Sequence, residues 1–481
     1  MLFNSIQFMF FLPVVFCVYW LLRSHLRWQN LFVVAASYFF YGLWDWRFLF
    51  LIAFTSICSF ASGIAIERYE VSRKVQKLIS ASNIVLNLAI LGVFKYYNFF
   101  ADSFASLCKH IGWEIDYATL NVILPVGISF YTFQALSYTI DVYRRQMKAT
   151  HNLIEFFAFI SFFPQLVAGP IERATNLLPQ FQKPRTFHYN DAVDGMRQIL
   201  WGLFKKIVIA DNCALLVDGI YGDVANFNGC DMLLAGVFFA FQIYGDFSGY
   251  SDIAIGTARL FGIKLQDNFL TPYFSHDIAE FWKRWHISLN KWFVDYIYIP
   301  LGGSRVSKIE VARNVFVIFL LSGLWHGANW TYVCWGLYHA ILFVPLILLG
   351  KNKKYKEQEV KKHIYPSLLE LWKMGSTFIL VVFGWIIFRA NSVTHAYEIF
   401  SKMFSSSFFS LPHVWFLEYR IPTFLAIVTC FVVEWVNRHN KHGLDITWVK
   451  SDLIRITVYY IVLSMIILYS GKNVTFIYFQ F

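Results

Sequence analysis

Charged residues are scarce in this sequence. Of its 481 residues, 15% are charged and 57% are apolar, whereas soluble domains have about 25% charged and about 45 to 50% apolar residues. A membrane-spanning helix needs about 20 mostly apolar residues, so the chain has enough apolar residues for many such helices. This composition excludes an ordinary soluble protein. It predicts an all-α, polytopic integral membrane protein that forms one domain over residues 1–481.

The sequence also lacks a pattern of paired cysteines. Its seven cysteines are odd in number and widely separated, which excludes a disulfide framework and a zinc-binding spacing. We expect no metal site, and the cysteines are interpreted as small core residues. The apolar run from Ile6 to Leu22 has no basic region before it and no small-residue cleavage site, so we expect the first helix to be retained rather than removed as a signal peptide.

The motifs of common soluble enzymes are absent. The sequence has no G-x-S-x-G, P-loop, H-E-x-x-H or dinucleotide-binding glycine pattern. Any catalysis must therefore use another arrangement of residues.

Thirteen apolar stretches are candidates for crossing the membrane, and we predict 10 to 12 true crossings plus re-entrant and interfacial helices. Prolines and glycines within 121–140 and 153–171 indicate broken or re-entrant segments. Residues 264–310 are too polar to cross. The candidates lie at 4–22, 28–44, 48–66, 79–97, 121–140, 153–171, 199–217, 231–258, 311–325, 328–349, 374–390, 421–436 and 454–470.

The net charge is +11, and basic residues cluster in alternate short loops, at 23–27, 68–77, 144–148, 351–363 and 437–455. Such loops are typically cytoplasmic. The N-terminus and the tail after Ser470 are then expected outside. A basic membrane protein of this kind gives no reason to expect nucleic acid as a partner; the lipid bilayer is its surrounding.

His326 is the strongest candidate for a catalytic residue. It lies between two apolar runs, in SGLWHGANW, with Trp325 before it and Asn329 shortly after it. An ionisable residue at membrane depth indicates function by default, and burial keeps an imidazole neutral and able to accept a proton. It would then suit a general base that activates a hydroxyl. The alternative is a structural histidine that bonds a backbone carbonyl.

A second candidate, His286, lies in FWKRWHISLNKWF, residues 281–293. At helical spacing these residues form an amphipathic helix with His286 on its apolar side. Either the helix lies at the membrane interface, anchored by its aromatic residues, or it borders a substrate path.

Asp246 and Asp252 are the third feature, because both lie in a stretch otherwise free of charge. Six residues apart, they fall on different faces of a helix, which disfavours a shared proton. Pairing with buried Lys or Arg is expected, and a role in substrate binding stays open.

Together these stretches resemble the membrane-bound O-acyltransferase (MBOAT) family, closest to its bacterial branch with the alginate O-acetyltransferase membrane subunit and the teichoic acid D-alanyl transfer protein. The likeness covers nearly the whole chain. It is carried by MLFNSIQFMFFLPVVFCVYW, LPVGISFYTFQALSY, FFPQLVAGPIER, DFSGYSDIAIG, FWKRWHISLNKWF, SGLWHGANW and the terminal FIYFQF.

The resemblance implies an MBOAT fold with a central tunnel, in which His326 and His286 are the family's two catalytic histidines. It implies an acyl group, acetyl in our leading hypothesis, carried from a cytoplasmic thioester such as acetyl-coenzyme A or an acyl carrier protein to hydroxyls of an extracytoplasmic polysaccharide. It also implies the bacterial cytoplasmic membrane as location and a separate extracytoplasmic O-acetyltransferase, of the SGNH type or related, as partner. No permanently bound cofactor is expected.

Trp325, Asn329, Asp246, Asp252 and Tyr478 are the candidate substrate-binding residues. Tyr478 either anchors the terminal aromatic segment at the interface or takes the acyl group transiently, as its likeness to the small partner of D-alanylation systems suggests. Two other functions remain open for the whole chain, a transporter or flippase for lipid-linked saccharide and a non-catalytic scaffold. Within the family, a lipid or protein acyltransferase is a further alternative.

Overall fold

The structure of the chain, a computed structural model, consists of helices joined by turns and irregular segments in the part that it describes. That part comprises residues 1–116, 119–120, 123–350, 365–416, 420–471 and 474–477, and no β-strand occurs in it. The all-α prediction is confirmed.

The chain divides into two compact units, the first of which comprises residues 1–195 and 254–266. A π-helical turn at Gly92–Tyr96 joins its fourth and fifth helices. Its helices are α1 (Ile6–Leu21), α2 (Leu26–Gly42), α3 (Arg47–Arg68), α4 (Arg73–Leu91), α5 (Tyr97–His110), α6 (Ile128–Tyr143), α7 (Leu153–Ser161), α8 (Phe163–Leu166) and α9 (Ala174–Phe181).

The second unit comprises residues 196–253 and 267–481. Two helices, α10 (Tyr189–Leu203) and α12 (Gly229–Leu260), contribute residues to both units. The second unit further holds α11 (Asp211–Tyr221), α13 (Ile278–Arg284), α14 (Ile287–Phe293), α15 (Lys308–His326), α16 (Trp330–Leu348), α17 (Leu368–Arg389), α18 (Val393–Met403), α19 (Arg420–Val436) and α20 (Asp452–Tyr469). The prediction of a single domain over 1–481 stays a prediction.

Among the described residues, seven helices are long and apolar enough to cross a membrane, and two shorter apolar helices accompany them. None of the seven lies within 264–310, as expected. The membrane character is therefore confirmed, while the total of 10 to 12 crossings and the central tunnel stay predictions. The seven are Arg47–Arg68, Arg73–His110, Gly229–Leu260, Lys308–His326, Trp330–Leu348, Leu368–Arg389 and Asp452–Tyr469, and the shorter two are Ile6–Leu21 and Ile421–Val436.

The stretch 153–171 is broken, as its proline predicts. Helix α7 ends at Ser161, and the single turn of α8 begins beside Pro164. In the stretch 121–140, α6 begins only after Gly127, whose φ of 76° is left-handed. A Cβ on this glycine would lie 2.7 Å from the Leu166 carbonyl oxygen, so both the turn and the close approach require glycine.

Helices α15 and α16 form a tight hairpin that positions His326. A Cβ on Gly323 would collide with the Tyr332 carbonyl, and one on Gly336 would collide with the Phe319 carbonyl. Small residues at such contacts let two helix backbones approach closely. Gly323 and Gly336 therefore serve the packing of these two helices.

Candidate active site

His326 is the last residue of α15, and the extended backbone of Gly327 ends the helix directly after it. Its side chain is buried, with 4% exposed. Three aromatic rings enclose it, with centroids 5.0 Å (Trp325), 5.1 Å (Trp335) and 5.3 Å (Phe388) from the imidazole. Such a wall excludes bulk water from the ring.

His286 lies beside His326, with 6.3 Å between the two ring centroids. It is 1% exposed. The Trp325 ring contacts both histidines, at 5.6 Å from His286, and the Phe247 ring covers His286 from another side at 4.7 Å. The structure thus brings both predicted catalytic histidines and Trp325 into one aromatic enclosure within the second unit.

The prediction of one continuous helix over residues 281–293 is wrong. Helix α13 ends at Arg284 and α14 starts at Ile287, because His286 has left-handed backbone angles of φ 46° and ψ 52°. Such angles are costly for a residue with a side chain, and they concentrate at functional sites. The break also moves His286 off the helical face that the spacing assigned to it.

Asn268 holds this break in place and orients His286. Its backbone carbonyl accepts from the Ile287 N–H at 3.0 Å. Its side-chain Oδ1 accepts from the Ser288 hydroxyl at 2.9 Å and lies 3.1 Å from Nδ1 of His286. Sequence reasoning missed Asn268, because nothing in the pattern around it connects it with a histidine 18 residues later.

The contact with Asn268 determines which ring nitrogen of His286 carries the hydrogen. Since Oδ1 is an acceptor, Nδ1 carries the hydrogen and Nε2 keeps the lone pair. His286 lies outside the helices long enough to span the membrane, and burial lowers its pKa to about 3. The ring is therefore neutral at physiological pH.

Replacing Asn268 by aspartate is expected to make activity sensitive to acid. A carboxylate beside the imidazole favours its protonated form, so the pKa of His286 rises from about 3 and the neutral fraction falls about tenfold for each pH unit below the new value. Acyl transfer by membrane vesicles is followed as the pH is lowered from about 8 to about 5. The rate should begin to fall at a higher pH in N268D than in wild type. Asn268→Ala, the control, should lower the rate at every pH. A wild-type pH profile for N268D would contradict the assigned role of Asn268.

Asn329 has a local structural use in the described chain. It is the N-cap of α16: its side chain accepts from the Thr331 N–H at 3.0 Å and donates to the Asn391 carbonyl at 3.0 Å. Such caps stabilise a helix start by about 1 kcal/mol. Its predicted contact with substrate stays a prediction.

Asp246 and Asp252 pair with buried lysines, as expected. Lys206 Nζ lies 2.7 Å from Asp246 and 2.8 Å from Asp211, and Lys205 Nζ lies 2.8 Å from Asp252 and 3.9 Å from Glu434. Both lysines lie in a π-helical turn, Phe204–Ala210, and both are buried. We call these six residues the ion-pair network. It lies within the second unit, and substrate binding by the two aspartates stays a prediction.

Tyr478 lies outside the described residues. The two residues before it are buried: Phe476 is 2% and Ile477 is 1% exposed. The Ile477 N–H donates to Asp246 Oδ2 at 2.7 Å, and the Phe476 ring lies 4.8 Å from that of Tyr250. Phe476 and Ile477 are therefore held in the core of the second unit.

A cavity of about 430 Å³ lies near the histidines in the same unit. Two lysines, Lys283 and Lys291, line it together with the carboxylate of Asp295, the amide of Asn290, and aromatic and aliphatic side chains, among them Trp282, Phe319 and Phe343. Such a mixture suits a ligand with an apolar part and an anionic part. Within the described ranges, no group of three or more His, Cys, Asp or Glu residues is arranged to hold a metal ion.

An all-helical membrane chain with paired buried histidines and a neighbouring cavity fits an acyl-transfer enzyme. Residues 30–352 match the membrane-bound O-acyltransferase family, and the chain belongs to that family. It is therefore a membrane-bound acyltransferase.

Relatives share most of its length. A probable alginate O-acetylase AlgI of Pseudomonas aeruginosa is 41% identical over 406 residues, which cover 84% of this chain and 75% of that protein. The peptidoglycan O-acetyltransferase of Helicobacter pylori is 31% identical in an alignment that covers 100% of this chain and 98% of that protein. The teichoic acid D-alanyltransferase of Bacillus subtilis is 32% identical over 57% of this chain and 71% of its own length. The predicted resemblance is confirmed.

Proposed function

We propose that the chain transfers an acetyl group from a cytoplasmic thioester to hydroxyls of an extracytoplasmic polysaccharide, with His326 as general base. The observation that carries this proposal is the enclosure in which His326 and His286 lie side by side, with 6.3 Å between ring centroids. Two of the relatives named above are called O-acetylase or O-acetyltransferase, and their names state alginate and peptidoglycan, both polysaccharides. These names support acetyl as the acyl group and a polysaccharide as the acceptor.

In this reaction His326 accepts one proton and later releases it. Its neutral ring takes the proton of the acceptor hydroxyl while the oxygen attacks the thioester carbonyl. A C–O ester bond forms, the C–S bond breaks, and the leaving thiolate takes the proton from the imidazolium. A positioned base of this kind contributes about 10² to 10⁴ in rate. His286, oriented by Asn268, is neutral beside His326 and therefore does not repel the imidazolium that forms there.

The cavity of about 430 Å³ supports a site for the donor in the second unit. Acetyl-coenzyme A and acyl carrier proteins are anionic, and the two lysines that line the cavity outnumber its one carboxylate, Asp295, and would attract them. The basic loops at 68–77 and 144–148 are typical of the cytoplasmic side of a membrane and support a cytoplasmic donor.

The proposal places the chain in a bacterial cytoplasmic membrane, with a separate SGNH-type or related O-acetyltransferase on the outer side. It extends to Tyr478 as a transient acyl acceptor. Its support is local: Ile477 is bonded to Asp246, and the next residue of α12, Phe247, packs on His286. The terminal segment therefore contacts the helix that covers the site.

The test uses inside-out and right-side-out vesicles supplied with acetyl-coenzyme A labelled in the acetyl group. We expect labelled ester on lumenal polysaccharide in inside-out vesicles, because only these present the cytoplasmic face to the donor. Right-side-out vesicles should give none, and Tyr478→Phe should remove the label. Saccharide crossing the membrane without label would instead indicate a transporter and contradict the proposal. Unchanged labelling by Tyr478→Phe would exclude that hydroxyl as an acyl carrier.

A further inference from the structure

A third histidine, His339, is buried near the candidate site and has no part in the mechanism above. It lies on α16 and is 0% exposed. Neither of its ring nitrogens has a hydrogen-bond partner among the residues that the structure describes. Buried polar atoms of this kind are uncommon in folded proteins, and each one calls for an explanation.

Aromatic rings surround His339. Trp282 stands perpendicular to it at 4.9 Å, Trp335 lies at 5.1 Å and Phe319 stacks at 6.2 Å between centroids. On another side, Gly384 leaves room for the ring, since a Cβ there would lie 2.7 Å from His339 Nε2. A polar group with an open donor and an open acceptor is thus held within apolar walls.

The position of His339 connects the cavity with His326. Phe343, His339 and Trp335 follow one another at four-residue spacing and so share one face of α16. Phe343 lines the cavity, and Trp335 contacts His326 at 5.1 Å. Trp282 and Phe319, which contact His339, also line the cavity. His339 therefore lies along the line from the cavity to the proposed base.

We propose that His339 hydrogen-bonds an amide of the donor's pantetheine arm as the arm extends from the cavity towards His326; this rests on the proposed function. A pantetheine arm is thin and carries two amides, whose N–H and C=O groups need partners between aromatic walls. A neutral imidazole offers one donor and one acceptor. Lys283 and Lys291 would then meet the phosphate at the far end of the arm.

Four variants separate this role from simple packing. His339→Phe keeps an aromatic ring but removes both nitrogens, whereas His339→Gln keeps a donor and an acceptor. Gly384→Ala leaves the histidine in place and displaces its ring. Tyr338→Phe is the matched control on the same helix, since the Tyr338 hydroxyl bonds the Leu380 carbonyl at 2.8 Å.

The experiment measures binding of S-acetyl-pantetheine to the full chain in lipid nanodiscs. We expect H339F and G384A to bind at least about tenfold more weakly than wild type, and H339Q and Y338F to stay within about threefold. Wild-type affinity in H339F would overturn the inference. If H339F does not fold, wild-type affinity in G384A overturns it equally.

Two further measurements identify the source of the arm and separate the two proposals. Acetyl-coenzyme A and an acetylated acyl carrier protein serve as second and third probes, and the tighter binder identifies the donor. His326→Ala should bind all probes as wild type does but transfer acetyl about 10² to 10⁴ times more slowly. Should H339F bind normally while H326A stays inactive, the inference about His339 fails and the proposed function stands. Absence of binding by wild type to all three probes overturns both.

Discussion

His326→Ala is expected to lower polysaccharide acylation by about 10² to 10⁴, the contribution of a positioned general base. The ring lies in an enclosure of Trp325, Trp335 and Phe388, where no bulk water is at hand to take the proton instead. The alanine leaves the hydroxyl without an acceptor for its proton at the moment of attack. The fold should persist, because the hairpin of α15 and α16 is held by its glycine contacts rather than by the imidazole.

The measurement is the ester content of polysaccharide from cells that carry the variant in place of the wild-type gene, at equal abundance of the protein in the membrane. His25→Ala is the control, since His25 is exposed and lies in the first unit. It should leave the ester content unchanged. Ester at wild-type level in H326A would remove His326 as the base and would leave the scaffold or transporter hypothesis in its place.

Lys206→Met is expected to destabilise the fold by about 3 to 5 kcal/mol, the usual effect of breaking a buried ion pair from one side. Lys206 Nζ contacts Asp211 at 2.8 Å and Asp246 at 2.7 Å, and all three side chains are buried. Without the ammonium, two carboxylates stay in a low-dielectric interior with less charge compensation. The loss also reaches Ile477, whose N–H bonds Asp246.

The thermal unfolding of purified protein in detergent measures this effect. K206M should unfold at a clearly lower temperature, and Lys109→Met, a change at an exposed residue, should not. Adding D211N and D246N to K206M should restore much of the stability, because a neutral network no longer requires a cation. An unchanged unfolding temperature in K206M would show that the ion-pair network contributes nothing to stability.

The membrane-crossing helices were predictable because apolar length is a local property. The stretches 48–66 and 231–258 match the helices Arg47–Arg68 and Gly229–Leu260 closely. The break after Ser161 was predictable as well, since proline at position 164 disfavours a continuous helix whatever surrounds it.

The helix break at His286 was not predictable from spacing. Periodicity assumes that backbone hydrogen bonds are made within the helix, whereas here Asn268 takes over those of Ile287 and Ser288. That exchange depends on a residue distant in sequence. The same limit applies to Lys205 and Lys206, whose partners come from α11, α12 and α19.

The candidate site was predictable in part. His326 and His286 could be named from their sequence contexts and from the family resemblance, and the structure places them together. His339 could not be named as a site residue from the sequence. A lone histidine in an apolar helix has the same local pattern whether it packs against its neighbours or binds a ligand. Only the neighbouring cavity and its lining separate the two uses.

A structure of the protein with a non-hydrolysable acetyl-thioether donor and an acceptor saccharide would test the central claim most directly. The quantity to measure is the distance between a ring nitrogen of His326 and the acceptor hydroxyl oxygen. Our account predicts hydrogen-bond distance, about 2.6 to 3.2 Å, with the donor carbonyl next to that oxygen. A complex with both ligands bound elsewhere, and the His326 ring touching only its tryptophan and phenylalanine neighbours, would contradict it.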